Sequence, residues 1–126
     1  MEKKKTFHLK PKDRENFKYQ AFSLITEIKK ELNRLVADRD IKRITSKELY
    51  YFLAYRGYVQ EQRINGSLVW IPTQAGRDKG IAVVDKKSTF ATNFEVLLYP
   101  TEVQQEVVEH YIRIGESKYP DDNESD

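Results

Sequence analysis

Residues 45–81 read TSKELYYFLAYRGYVQEQRINGSLVWIPTQAGRDKGI, and most of the fold follows from parsing this stretch. Thr45 with Glu48 three residues later is a capping-box pattern, which marks a helix start. Leu49, Phe52 and Leu53 then supply a buried helix face. Gly57 ends the helix, because glycine enters the left-handed conformation of a C-terminal cap without a side-chain penalty. Asn65-Gly66 is the preferred pair for a type I′ turn, whose two central residues both need positive φ. The flanking runs YVQEQRI and SLVWIP therefore pair as a hairpin. In that register Gln60 faces Ile71, Gln62 faces Val69 and Ile64 faces Ser67. On the other side Glu61 faces Trp70 and Arg63 faces Leu68. The first strand is mostly polar and the second apolar, as when an outer strand shields an inner one. Thr73 caps a short helix over 74–79, which Gly80 closes.

Upstream, Phe17, Ala21, Leu24, Ile25, Ile28, Leu32, Leu35 and Val36 recur at spacings of three and four. That stripe predicts one long amphipathic helix over 14–37. ADRDIKRI breaks the pattern and reads as a linker. Downstream, IAVVD and NFEVLLY read as strands joined by KKSTFAT. Pro100 and Thr101 open a last helix with Gln104 completing a second capping box. Its apolar stripe is Val103, Val107, Val108 and Tyr111. The expected order is helix, helix, hairpin, short helix, strand, strand, helix, which is an α+β domain spanning 14–115. Residues 1–13 read as a flexible basic arm and 116–126 as a disordered acidic tail.

The 126 residues suit one domain. Charged residues make up 33%, so the expectation is a modest core under a strongly solvated surface. The chain has no cysteine, which excludes disulfides, thiolate metal sites and cysteine catalysis and fits a cytoplasmic setting. No run approaches the roughly 18 apolar residues of a membrane span. The start, MEKKKTFHLKPK, is basic without the apolar run of a secretion signal.

No enzyme and no cofactor is expected. His8 and His110 lack a paired ligand at metal spacing. GRDKG has two glycines and a lysine but not the spacing of a phosphate loop. Serines 23, 46, 67 and 88 have no neighbouring base in sequence.

Charge is uneven although the net value is only +2. Residues 39–63 carry six Lys/Arg against three Asp/Glu, whereas 116–126 carry one against five. Lys42, Arg43 and Lys47 cluster where the helix at 45 begins. Arg56 closes that helix, Arg63 flanks the hairpin tip, and Arg77 and Lys79 follow on the short helix. Tyr50, Tyr51 and Tyr55 interleave with them. Cations on one face neutralise phosphates and release counterions, while tyrosine hydroxyls and rings contact backbone and bases. These ten residues are the candidate duplex-DNA site.

Leu53, Gly57 and Tyr58 followed by a hairpin resemble the last helix and wing of a winged-helix domain, with Asn65-Gly66 as the wing tip. WIPTQAGRDKGI is similar to the aromatic-x-x-threonine-x-x-glycine-x-x-x-glycine segment that follows the hairpin in phage antirepressor C-terminal domains and related prophage regulators. The resemblance covers residues 45–81. It implies a winged-helix-like fold and a DNA-binding, transcription-regulating role in a phage-infected host cell. The chain departs from the pattern just before the recognition helix. A supporting helix and tight turn belong there, but DRDIKRI reads as a linker, so the long first helix would take that role.

The rival expectation is a protein-binding inhibitor or adaptor, of anti-defence or antirepressor type, acting on a host protein. An exposed tyrosine cluster near Trp70 would serve it, because aromatics dominate interface energetics. A homodimer through the helix at 14–37 is compatible with either reading.

Overall fold

The computed structural model describes residues 4–87 and 93–121, with the side chains at 86, 87, 93 and 94 excepted. Within them the chain is a mixed α+β structure. Its elements in order are α1 (Asp13–Asn16), β1 (Phe22–Ser23), α2 (Ile25–Leu35), α3 (Ser46–Tyr55), β2 (Val59–Ile64), β3 (Ser67–Pro72), α4 (Gln74–Asp78), β4 (Ala82–Lys87), β5 (Asn93–Pro100) and α5 (Thr101–Lys118). Two antiparallel sheets form: a two-stranded β2-β3 ribbon and a three-stranded sheet in the order β1-β5-β4.

The stretch at 45–81 folds as its residues dictate. The Glu48 N–H donates to the Thr45 hydroxyl at 3.2 Å, capping α3, and Leu49, Phe52 and Leu53 are its buried residues. Gly57 takes φ +81°. Its N–H bonds the Ala54 carbonyl and the Tyr58 N–H the Leu53 carbonyl, each at 2.9 Å. That pair of bonds is the Schellman closure. Asn65 and Gly66 have φ of 51° and 83°, and the hairpin has the register expected for a two-residue turn, Ile64 opposite Ser67 through Gln60 opposite Ile71. Thr73 caps α4 through the Gly76 N–H at 3.0 Å.

The expected helix over 14–37 is instead two helices separated by extended chain and β1. The backbone groups between them find partners that a continuous helix would not reach. Lys18 N–H donates to Glu31 at 2.8 Å. Gln20 N–H donates to the Gln104 side chain at 3.0 Å, and that side chain returns a bond to the Gln20 carbonyl. Phe22 and Ser23 pair with Pro100 and Tyr99 of β5. Phe17 reaches the core from extended backbone, whereas Ala21 is exposed, contrary to the stripe.

Three further expectations change. Residues 4–13 are not a free arm: Phe7, His8 and Leu9 are buried, and the Leu9 N–H bonds the Tyr111 carbonyl at 3.0 Å. Lys5 forms a parallel bridge with Ile41. Gln104 completes no capping box, because Pro100 is the N-cap of α5 and the fully buried Gln104 amide clamps the Gln20 and Tyr99 backbones. The tail expected from 116 begins inside α5, which runs to Lys118. Its last residues, 122–126, lie outside the described residues, as do 1–3 of the expected arm and 88–92 of the expected loop.

The core joins α2 (Ile28, Leu32), α3 (Leu49, Leu53) and α5 (Val103, Val107, Val108, Ile112) with Phe7, Leu9 and Tyr99. Gly115 of α5 lies so close to the Leu9 carbonyl and the His8 ring that a Cβ there would overlap both.

Candidate nucleic-acid interface

α2 and α3 pack together, and the chain between them, 36–45, is tied down at both ends. Val36, Ile41 and Ile44 are buried. The Asn33 side chain forms a two-point clamp on Ile44, donating to its carbonyl at 3.1 Å and accepting its N–H at 2.9 Å. This clamp sets Arg43 and the N-terminus of α3 beside the outer face of α2.

The result is a groove of about 640 Å³. Lys29, Lys30, Arg34 and Arg43 line it with Thr45 and Ser46, and no carboxylate does. Arg34 is partly neutralised by Glu31 on the same helix. Burial pushes the Glu31 carboxyl upward, but the hydrogen bonds from Arg34 and the Lys18 N–H outweigh it and hold the group below its ordinary value. Lys29, Lys30 and Arg43 form no ion pair among the described residues, and neither do Lys42 and Lys47, which flank Arg43 and Ser46 in sequence. The positive end of the α3 dipole adds to the same potential.

Of the ten residues singled out from sequence, Arg43 lines this groove, and Lys42 and Lys47 adjoin its lining residues Arg43 and Ser46 in sequence. Lys47 also lies 5.6 Å from the ring centre of Tyr51, one turn along α3. Tyr51 and Tyr55 are exposed, Tyr55 to 86%. Tyr50 is different: it is half-buried and stacks on Trp70 at 5.0 Å with the rings 4° from parallel. Burial raises its hydroxyl pKa. It joins the hairpin root to α3 rather than facing a ligand.

Two cations are taken up internally. Arg56 bonds Glu106 of α5 at 3.0 Å. Lys79 bonds Glu102 at 3.0 Å and lies 3.7 Å from Glu106. Arg63 donates to the Gly66 carbonyl at 3.1 Å across the hairpin turn and stays exposed. Arg77 is exposed on α4 without an ion pair among the described residues. The cationic groove is therefore centred on the start of α3 and the face of α2, not on the end of α3 and α4.

Sequence reasoning missed Lys29 and Lys30. They sit on the polar side of the α2 stripe, and only the reversal of the chain at 36–45 brings them beside Arg43. It also missed the buried Asp13–Arg39 pair, two bonds of 2.8 Å. Among the described residues no group of three or more His, Cys, Asp or Glu could hold a metal ion. No described helix is long and apolar enough to cross a membrane.

Comparison with known proteins adds no relative: no family model matches the chain, and no curated protein and no solved structure matches it.

Proposed function

We propose that this chain is a small regulatory protein that binds duplex DNA, with α2, α3 and the β2-β3 hairpin used as a winged-helix-like unit of the phage antirepressor type. The observation that carries the reading is the groove at the start of α3, lined by four cations and no carboxylate. Helices that enter a major groove present their N-terminal residues to base edges while neighbouring cations hold the phosphates. Ser46 and Lys47 then occupy the base-proximal end of α3, with Lys29, Lys30, Lys42 and Arg43 as phosphate contacts. Arg63 at the hairpin reaches a flanking phosphate.

The test is binding of a fluorescent duplex by the native chain and by Lys29→Glu/Arg43→Glu, beside Arg77→Glu as an exposed cation away from the groove. The reading expects a loss of about tenfold or more for the groove variant and a much smaller loss for Arg77→Glu. Equal losses, or no binding by the native chain at low salt, would sink it.

A second reading has its own observation. Tyr51 and Tyr55 border a largely apolar groove between α3 and α5 that also contains Phe52, His110 and Tyr111. Exposed tyrosines beside a pocket suit a protein partner, so an inhibitor or adaptor acting on a host protein would engage this face. On this reading the chain does not bind DNA directly, so Tyr55→Ala would abolish the partner complex and the native chain would bind no duplex at low salt.

A further inference from the structure

Among the described residues two strands that border one groove each have an edge without a partner strand. β3 pairs there with β2 alone. β5 pairs with β4 along its length, but on its other side β1 reaches only Tyr99 and Pro100. Among the described residues, 95–98 thus have no strand on that side. In an antiparallel strand every second residue turns its N–H and C=O away from a given neighbour, so each edge retains a row of backbone donors and acceptors.

A groove of about 360 Å³ runs along both edges, lined by Val69 and Trp70 of β3 and by Glu95, Val96 and Leu97 of β5, with Tyr50 and the first residues of α2 completing it. Side chains of consecutive strand residues point to opposite faces. Leu24, Ile25 and Thr26, which follow β1 directly, line the groove together with Glu95, Val96 and Leu97, so the groove lies on the side of β5 that β1 pairs with further along.

We propose that this groove takes an extended peptide segment of a partner protein, which adds as a strand against β5 and rests an apolar side chain on Trp70. The occupant carries a lysine or arginine near its centre. Glu95 is the only charged side chain in the lining, is exposed, and has no ion pair among the described residues. Three lining residues of β5 span about 10 Å, the length of one short strand. Main-chain bonds supply affinity in such additions and alternate side chains supply selectivity. The groove shares no lining residue with the cationic groove on α2 and α3, so the inference stands apart from the DNA reading.

Trp70 is the only tryptophan in the chain and reports occupancy directly. The full chain is titrated with acetyl-Thr-Val-Lys-Val-Thr-Val-Thr-amide, with its Lys-to-Glu counterpart, and with a copy N-methylated along its backbone. The lysine peptide is expected to shift Trp70 emission saturably and to slow amide exchange at 68–71 and 95–97. The glutamate peptide should bind at least about threefold more weakly, and Glu95→Lys, a surface change that leaves the fold intact by circular dichroism, should invert that order. The N-methylated copy should not bind. The proposal is overturned if neither peptide gives a saturable change. It is equally overturned if the N-methylated copy titrates like its parent, or if Glu95→Lys leaves the order unchanged. Sedimentation showing that a second copy already fills the groove, with exchange at 95–97 slowed by self-association alone, would also overturn it.

Discussion

Gly76 shows how far single residues were readable. The sequence places it in the short helix over 74–79 and it does lie inside α4, but there a Cβ would overlap the Tyr58 carbonyl. Its role is close approach of backbones, and spacing does not reveal that. Gly76→Ala should lower stability substantially, read as a fall in the denaturant midpoint, whereas an exposed position such as Gln74→Ala should leave it near the native value. Thr45, Thr73 and Gly57 were legible because caps act through neighbours one to five residues away. Asp13 was not, because its partner Arg39 is 26 residues distant. Asp13 is 1% exposed, and Asp13→Ala removes its bonds to Arg39 and to the Lys10 N–H, so a loss of about 1–3 kcal/mol is expected in urea unfolding.

His110 gives a residue-level pH dependence. Burial lowers its pKa first, and the nearby charges of Arg56 and Arg113 lower it further from the ordinary 6.5. The unfolded chain then takes up the proton more readily than the folded one. Stability from this group is present above about pH 6.5 and falls as pH drops below that value, until the folded-state pKa is passed. His110 stacks on Phe52 at 4.3 Å. His110→Phe preserves that stacking and should reduce the difference in melting temperature between about pH 7.5 and about pH 5.5. An unchanged difference would place the acid sensitivity elsewhere.

At the scale of elements, the pieces whose order depends on local chemistry were readable: α3, the hairpin with its register, α4 and α5. Turn and cap residues fix these within a few positions. The first helix misled because Phe17 and Leu24 fit a helical spacing by coincidence. The decision between helix and extended chain at 17–23 is made by Gln104, Glu31 and β5, which come from far along the chain. The segment at 7–9 misled for the opposite reason, since lysines on either side hide two core residues. Leu9 is fully buried, and Leu9→Ala should cost about 2–5 kcal/mol in chemical denaturation. A flexible arm would tolerate that change, so an unaltered midpoint would restore the arm reading.

Across the whole molecule, the cations divide into two populations that a charge count merges. α5 presents Glu102, Glu106 and Glu109, which pair with Lys79, Arg56 and Arg14. Those pairs hold α5 against α1, the end of α3 and the residue after α4. Lys29, Lys30, Lys42, Arg43 and Lys47, which form no ion pair among the described residues, lie at the start of α3 and on α2, while Arg77 stays uncommitted on α4. This division was invisible in sequence because it depends on where α5 crosses the other helices. It explains how a net charge of only +2 coexists with a groove whose charged lining residues are all cations.

The DNA reading therefore rests on five proposed phosphate contacts, Lys29, Lys30, Lys42 and Arg43 at the start of α3 and on α2, and Arg63 at the hairpin. The most direct measurement is the salt dependence of binding to a short duplex between about 50 mM and about 200 mM salt. If these five meet phosphate, the logarithm of the association constant falls against the logarithm of salt with a slope of about −4.5, and Lys29→Glu/Arg43→Glu makes that slope shallower by about 2. A slope near zero, or a slope the double substitution leaves unchanged, would contradict the account.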